Sequence, residues 1–200
     1  MPLEIEIKYL GVDHDVLRGR LRELGARFLD RGFEANVVYD DPGRRLKASG
    51  TLLRLREKND RCVLTLKRAA TQTSATAKIY EESETEVASA SALREILSGL
   101  GYAPALRYEK IREKWELDGC EVCLDTLPFG SYAEIEGDEA GIAVCAQALR
   151  LPPNKASRAT YHELNRQHRE RANLPPDESF VFADEDQALV RKALAPRADG

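Results

Sequence analysis

No stretch of the 200-residue chain approaches the roughly 18 apolar residues that a membrane-spanning helix requires, so no transmembrane helix is expected. The first residues, Met1-Pro2-Leu3-Glu4, show no basic cluster followed by an apolar run, and no secretory leader is expected. Positive charge is not in excess. Thirty Lys and Arg face 34 Asp and Glu, a net charge of −4. Bulk electrostatics therefore do not favour nucleic acid or an acidic membrane surface, and an anionic ligand must be held by a local cluster of cations. Cysteine is scarce. Cys120 and Cys123 have C-x-x-C spacing, but no second pair and no nearby His completes a zinc set. On a strand these two thiols point to opposite faces. Reduced thiols make the cytoplasm the expected compartment. His14, His162 and His168 fall on no charged strand face and are expected at caps or on the surface.

What is present is a folded composition, 42% hydrophobic and 32% charged, on a length that suits one domain with an appendage. A tunnel-like domain over 1–165 and a helical tail over 166–200, with a disordered end, are the predicted units. Leu3 to Tyr9 alternates as a strand. Asp13 caps a helix that stops at Gly25. A strand follows to Asp40, then an Asp-Asp-Pro-Gly turn and a basic loop at Arg44 to Lys47. Strands are predicted over 52–58 and 61–68 about an Asn59-Asp60 turn, and a mobile loop over 69–77. Further strands are predicted over 78–87, 107–117, 121–127 and 131–137. Helices are predicted after Ser89, over 140–149, over 157–171 and over 184–193.

One property runs through the strands. Each has an apolar face and a charged face, and whole strands carry one sign: Arg54 with Arg56, Lys110 with Arg112, Glu84 with Glu86, Glu134 with Glu136. A solvated face explains any single strand. Repeated on every strand, the pattern points to an α+β fold with a closed eight-stranded antiparallel barrel, helices outside and charges in the lumen. Cations around a lumen suit a triphosphate, because Arg contacts phosphate bidentately and Lys supplies point charge. Grouped carboxylates cannot bind phosphate; they suit Mg²⁺ or Mn²⁺. The apolar Leu and Ile of the outer faces leave a helical cover and a homodimer contact both open.

The ordered series Glu4-x-Glu6-x-Lys8, Leu53-Arg54-Leu55-Arg56, Leu64-Thr65-Leu66-Lys67, Glu84-x-Glu86, Lys110-x-Arg112, Asp125 and Glu134-Ile135-Glu136 resembles the CYTH superfamily, the triphosphate tunnel metalloenzymes. That superfamily includes class IV adenylyl cyclases, thiamine triphosphatases and inorganic triphosphatases. The resemblance implies an eight-stranded tunnel in which Lys8, Arg54, Arg56, Lys67, Lys110 and Arg112 hold the triphosphate. It implies that Glu4, Glu6, Glu84, Glu86, Asp125, Glu134 and Glu136 hold one or two divalent metals. Glu82 shares a face with Glu84 and Glu86; the latter two are chosen because Val87 and a helix cap follow them. A Lys crowded by arginines has a lowered pKa, which makes Lys67, and Lys8 after it, the candidate general base. Both also serve as plain phosphate ligands. The expected function is a metal-dependent phosphohydrolase acting on an inorganic or organic small-molecule triphosphate. The alternatives are a cyclase forming cyclic AMP and pyrophosphate, and a non-catalytic triphosphate-binding module.

Overall fold

The computed structural model describes residues 3–72, 74–187 and 194. Eight strands close on themselves in the order β5-β4-β3-β2-β6-β7-β8-β1, with β1 pairing back to β5, all antiparallel. The staves are β1 (Leu3–Leu10), β2 (Arg27–Asp40), β3 (Thr51–Lys58), β4 (Arg61–Ala69), β5 (Lys78–Glu86), β6 (Ala103–Leu117), β7 (Cys120–Leu127) and β8 (Gly130–Glu136). A two-residue β9 (Ala156–Ser157) pairs with Lys8 and Tyr9, on the edge of β1 that β5 leaves free. The closed barrel is the predicted architecture.

The alternation decides what lies outside. Ile7, Tyr9, Trp115, Val122, Leu124, Ala133 and Ile135 turn outward and are buried with Leu17, Leu21, Ile142 and Leu149. These last come from α1 (His14–Glu23), α4 (Glu139–Ala148) and the residue after α4. α3 (Ala90–Gly99) covers a second patch, with Leu97 against Tyr39 and Leu55. Each cover helix begins at a capping side chain, Asp13, Ser89 or Asp138, that accepts from first-turn amides. Asn59 and Asp60, at φ 48° and 61°, make the tight β3–β4 hairpin.

The boundaries depart from the predicted ones in three places. The basic stretch after Gly43 is a short helix, α2 (Arg45–Ala48), because the Asp40 carboxylate accepts from the amides of Leu46 and Lys47. β6 starts at Ala103, since its long antiparallel pairing with β2 runs out to Asp40. The predicted helix over 157–171 starts only at Tyr161, as α5 (Tyr161–Arg171). Ser157 belongs to β9, and Thr160 and Glu163 form a capping box. α5 crosses residue 165 without a break. Its Tyr161 and Leu164 pack on Val38, Tyr108, Leu127 and Tyr132, all on lumen faces, so α5 seats in one end of the barrel. Beyond it, Phe180 bridges to Tyr108, and Glu109 accepts from the amide of Phe182. Of the helix predicted over 184–193, residues 184–187 are helical; residues 188–193, and the end predicted to be disordered, lie outside the described residues. No helix among the described residues is long and apolar enough to cross a membrane.

Candidate active site

One cavity of about 880 Å³ runs from the lumen to α5, α2 and the segment around Asp177. Two walls of opposite sign line it. On the acidic wall, Glu4, Glu6 and Glu134 place one carboxylate oxygen each within 4.8 Å of the others. β1 supplies the first two and β8 the third, because Lys8 pairs with Glu134 and Glu6 with Glu136 across the ladder. Two ammonium groups face this trio, and Arg112 reaches Glu134 at 3.2 Å. Lys8 Nζ lies 2.6 Å from Glu6 and 3.1 Å from Glu134, and Lys67 Nζ lies 2.5 Å from Glu4. Glu4 Oε2, the oxygen that faces Lys67 Nζ, is buried.

On the cationic wall, Arg54 donates to the hydroxyls of Tyr108 and Thr65 and to Glu84. Arg56 donates to Asn36. Arg112 makes two bonds to Asp125, at 2.7 and 2.5 Å, and Lys110 a third at 3.3 Å. The Tyr161 hydroxyl donates to the same carboxylate at 2.8 Å.

The carboxylates named from sequence thus divide. Glu4, Glu6 and Glu134 come together, with Glu136 next along β8. Asp125 does not join them; register sets it opposite Arg112, and four donors from three residues consume it. Glu84 is held by Arg54 and Thr65. Glu86 is exposed and ion-paired to Arg61. The preference for Glu84 and Glu86 over Glu82 reverses: Glu82 lines the cavity, 3.2 Å from Lys67. The cause is register. β1 pairs with β5 only over 78–81, so residues 84 and 86 lie beyond the reach of Glu4.

The premise for a lysine base also fails. Burial alone would lower the Lys67 pKa, but Glu6, Glu4 and Glu82 outweigh burial and raise it. Lys8 is raised in the same way, burial opposed by Glu134 and Glu6. In the tunnel without ligand both are ammonium groups facing carboxylates rather than arginines.

A model of the CYTH domain family matches residues 2–164. The chain belongs to the CYTH family. A Methanocaldococcus jannaschii protein provisionally named an adenylate cyclase is 24% identical over 135 residues, 67% of this chain and 76% of its own length. A Vibrio parahaemolyticus structure with the same provisional name aligns at TM-score 0.69 and 22% identity, over 82% of this chain and 97% of its own. A Hippeastrum protein, provisionally named an adenylyl cyclase and described as having a dominant triphosphatase activity, aligns at TM-score 0.59 and 19% identity. That alignment covers 88% of this chain and 98% of its own. At these identities the structures share the fold.

Several residues of this CYTH tunnel escape a strand-by-strand reading: Glu34, Asn36, Tyr80, Glu82, Tyr108, Tyr161 and His162. The period-2 alternation of Glu34, Asn36 and Val38 carries a signal, though a weak one among Phe33, Ala35 and Val37. His162 carries none, since the seating of α5 is tertiary. His162, expected at a cap or on the surface, lies against Tyr108 and Phe180 beside the cavity, and burial lowers its pKa.

The donor set fits a hard divalent cation, since all its atoms are carboxylate oxygens. It is also overcrowded without one. Burial and then Glu134 raise Glu6. Burial and Glu4 push Glu82 to about 8, and burial with Glu4, Glu121 and Glu134 pushes Glu136 to about 7. Between the ordinary 4.5 and about 8 the folded chain therefore keeps protons that the unfolded chain has released, and stability falls as pH rises through that window. Glu4, Asp125 and Glu134, held below their ordinary values, act oppositely: they stabilise above those values and cease to do so as pH falls below them. Without metal, the melting temperature is expected to be lower at pH about 8 than at about 5. Saturating Mg²⁺ or Mn²⁺ should narrow the gap. Equal melting at both pH values, measured by calorimetry in chelator, would contradict the crowding.

Proposed function

We propose that this chain is a metal-dependent phosphohydrolase that cleaves a triphosphate inside the tunnel. The observation that carries this reading is a single cavity lined at once by the Glu4, Glu6 and Glu134 trio and by Lys8, Arg54, Arg56, Lys67, Lys110 and Arg112. A module that only binds a polyanion needs the cations; it has no use for three mutually repelling buried carboxylates. The triphosphatase activity described for the Hippeastrum neighbour supports hydrolysis. The four cysteines are free thiols, which suits action in the cytoplasm.

Glu4, Glu6 and Glu134 would hold Mg²⁺ or Mn²⁺, with Glu136 and Glu82 beside them. A divalent ion bound there would supply charge neutralisation at phosphoryl oxygens and Lewis-acid polarisation of the phosphoryl group. Lys8 and Lys67 balance the trio in its absence and turn to phosphate oxygens in its presence. Arg54, Arg56 and Arg112 grip the chain through planar guanidinium groups, and Lys110 adds point charge. Asp125 and Tyr161 fix Arg112 and Lys110 for that task. Water adds to the terminal phosphorus, the bond to the bridging oxygen breaks, and orthophosphate and diphosphate leave.

Lys67 acts here as charge, so Lys67→Arg should keep turnover within about tenfold of wild type. A loss of about 100-fold or more in a folded variant would restore proton transfer to Lys67.

A second reading has its own support. Besides its charged groups the cavity is lined by Val38, Leu52, Leu106, Leu174 and Pro176, and its volume is in the range that holds drug-sized ligands. An organic triphosphate fits such a lining, and with ATP the ribose 3′-hydroxyl could replace water, giving cyclic AMP and pyrophosphate. Purified protein with Mg²⁺ or Mn²⁺, supplied with inorganic triphosphate, thiamine triphosphate or ATP, separates the readings by product. Orthophosphate supports hydrolysis. Cyclic AMP with pyrophosphate supports the cyclase. Tight binding without product leaves a sensor.

A further inference from the structure

Glu34 stands in a wall built to attract anions, yet it is itself an anion. It lies on β2 directly across the ladder from Lys110 and is fully buried. Neither carboxylate oxygen has a hydrogen-bond partner among the described residues. Its neighbours are cations at ion-pair rather than hydrogen-bonding distance: Lys58 at 3.5 Å, Arg56 and Lys110 at 3.6 Å. Arg56 and Lys110 line the cavity and Glu34 does not, so it stands behind them. Lys58, on its far side, also reaches Asp30 at 2.5 Å.

Asp125 shows what a buried carboxylate ordinarily does, accepting short bonds that fix the direction of its partners. Glu34 accepts none, so it contributes charge rather than direction. In a tunnel without ligand that charge restrains Arg56, Lys58 and Lys110, which would otherwise repel one another. The same charge opposes a polyanion arriving beside Arg56 and Lys110. These are one free energy seen from two states, because whatever stabilises only the ligand-free form weakens binding equally.

We propose that Glu34 is a positioning residue that acts through Arg56 and Lys110 as an electrostatic counterweight: it holds the ligand-free tunnel together and limits how tightly a triphosphate and its phosphate products are retained. The proposal rests on the tunnel being a triphosphate site. It gives the residue a purpose that a purely structural role lacks. Products must leave a cage of cations, and product release limits many enzymes.

The test is calorimetric binding of tripolyphosphate, alongside kcat and KM. Glu34→Gln should melt lower than wild type without ligand yet bind tripolyphosphate at least about tenfold tighter. That is the order expected from one unit charge within about 10 Å at an effective dielectric near 20. KM should fall, and kcat should fall with it as release slows. Glu34→Asp keeps the charge, so its affinity should return towards wild type. Loss of a merely structural residue would instead weaken binding and raise KM. If Glu34→Gln does not fold alone, folding on addition of tripolyphosphate supports the counterweight, and failure to fold with it overturns the counterweight. Equal or weaker binding by folded Glu34→Gln, or equal tightening by Glu34→Asp, also overturns it. Wild type that binds no tripolyphosphate would instead overturn the reading of the tunnel, a separate outcome.

Discussion

Asp125→Ala is expected to destabilise the protein by about 3–5 kcal/mol, the cost of leaving buried charges without their partner. Asp125 is fully buried and takes two bonds from Arg112, one from Lys110 and one from Tyr161. Its removal takes the closest partner from a buried guanidinium and a buried ammonium, leaving Arg112 with Glu134 at 3.2 Å and Lys110 with Glu34 at 3.6 Å. It also frees the tyrosine that ties α5 to the barrel, so the closed end of the tunnel loosens with the cationic wall. For a chain of this size the loss corresponds to a melting temperature lower by roughly 6–20 °C. Thermal unfolding of the purified variant measures it. A shift of less than about 2 °C would show that Asp125 is not the keystone of that wall.

Glu6→Gln should separate stability from activity. Glu6 is buried, and burial together with Glu134 raises its pKa above the ordinary carboxylate value. A neutral isostere therefore relieves repulsion within the trio, and the metal-free variant should be as stable as wild type or more so at pH about 8. Turnover should move the other way. Groups behind a metal ligand cost 10- to 100-fold when removed, so loss of a ligand itself should cost at least about 100-fold. Excess Mg²⁺ or Mn²⁺ should recover only part of it. The informative pair of measurements is melting temperature in chelator and the metal dependence of kcat/KM on the same preparation. A variant that keeps wild-type turnover would remove Glu6 from the site. One that loses both turnover and stability would make Glu6 a structural partner of Lys8.

The barrel was legible in the sequence because its signal is local. An alternation of period 2 between apolar and charged residues needs no knowledge of neighbours, and it placed Lys8, Arg54, Arg56, Lys67, Lys110 and Arg112 on lumen faces. What failed depended on register. Glu82, Glu84 and Glu86 are equivalent by alternation; the β4–β5 register sets Glu82 opposite Lys67 and Glu84 opposite Thr65, and leaves Glu86 to Arg61. Asp125 has the right sign for a metal ligand, but it sits opposite Arg112 and serves the cations. Lys67 has arginines nearby in sequence and glutamates nearby in space, so its pKa moves up rather than down. α2 depends on a side-chain cap from Asp40, six residues upstream of Leu46, and the seating of α5 depends on contacts made across the fold through Tyr108, Tyr132 and Asp125.

The central claim is that one wall of the tunnel holds metal and the other holds phosphate. Crystals grown with Mn²⁺ and tripolyphosphate, measured for manganese anomalous scattering, test it most directly. The expected result is a manganese peak within coordination distance of Glu4, Glu6 and Glu134, with phosphate oxygens on Arg54, Arg56 and Arg112. Manganese bound away from that trio, or tripolyphosphate seated outside the lumen, would contradict it.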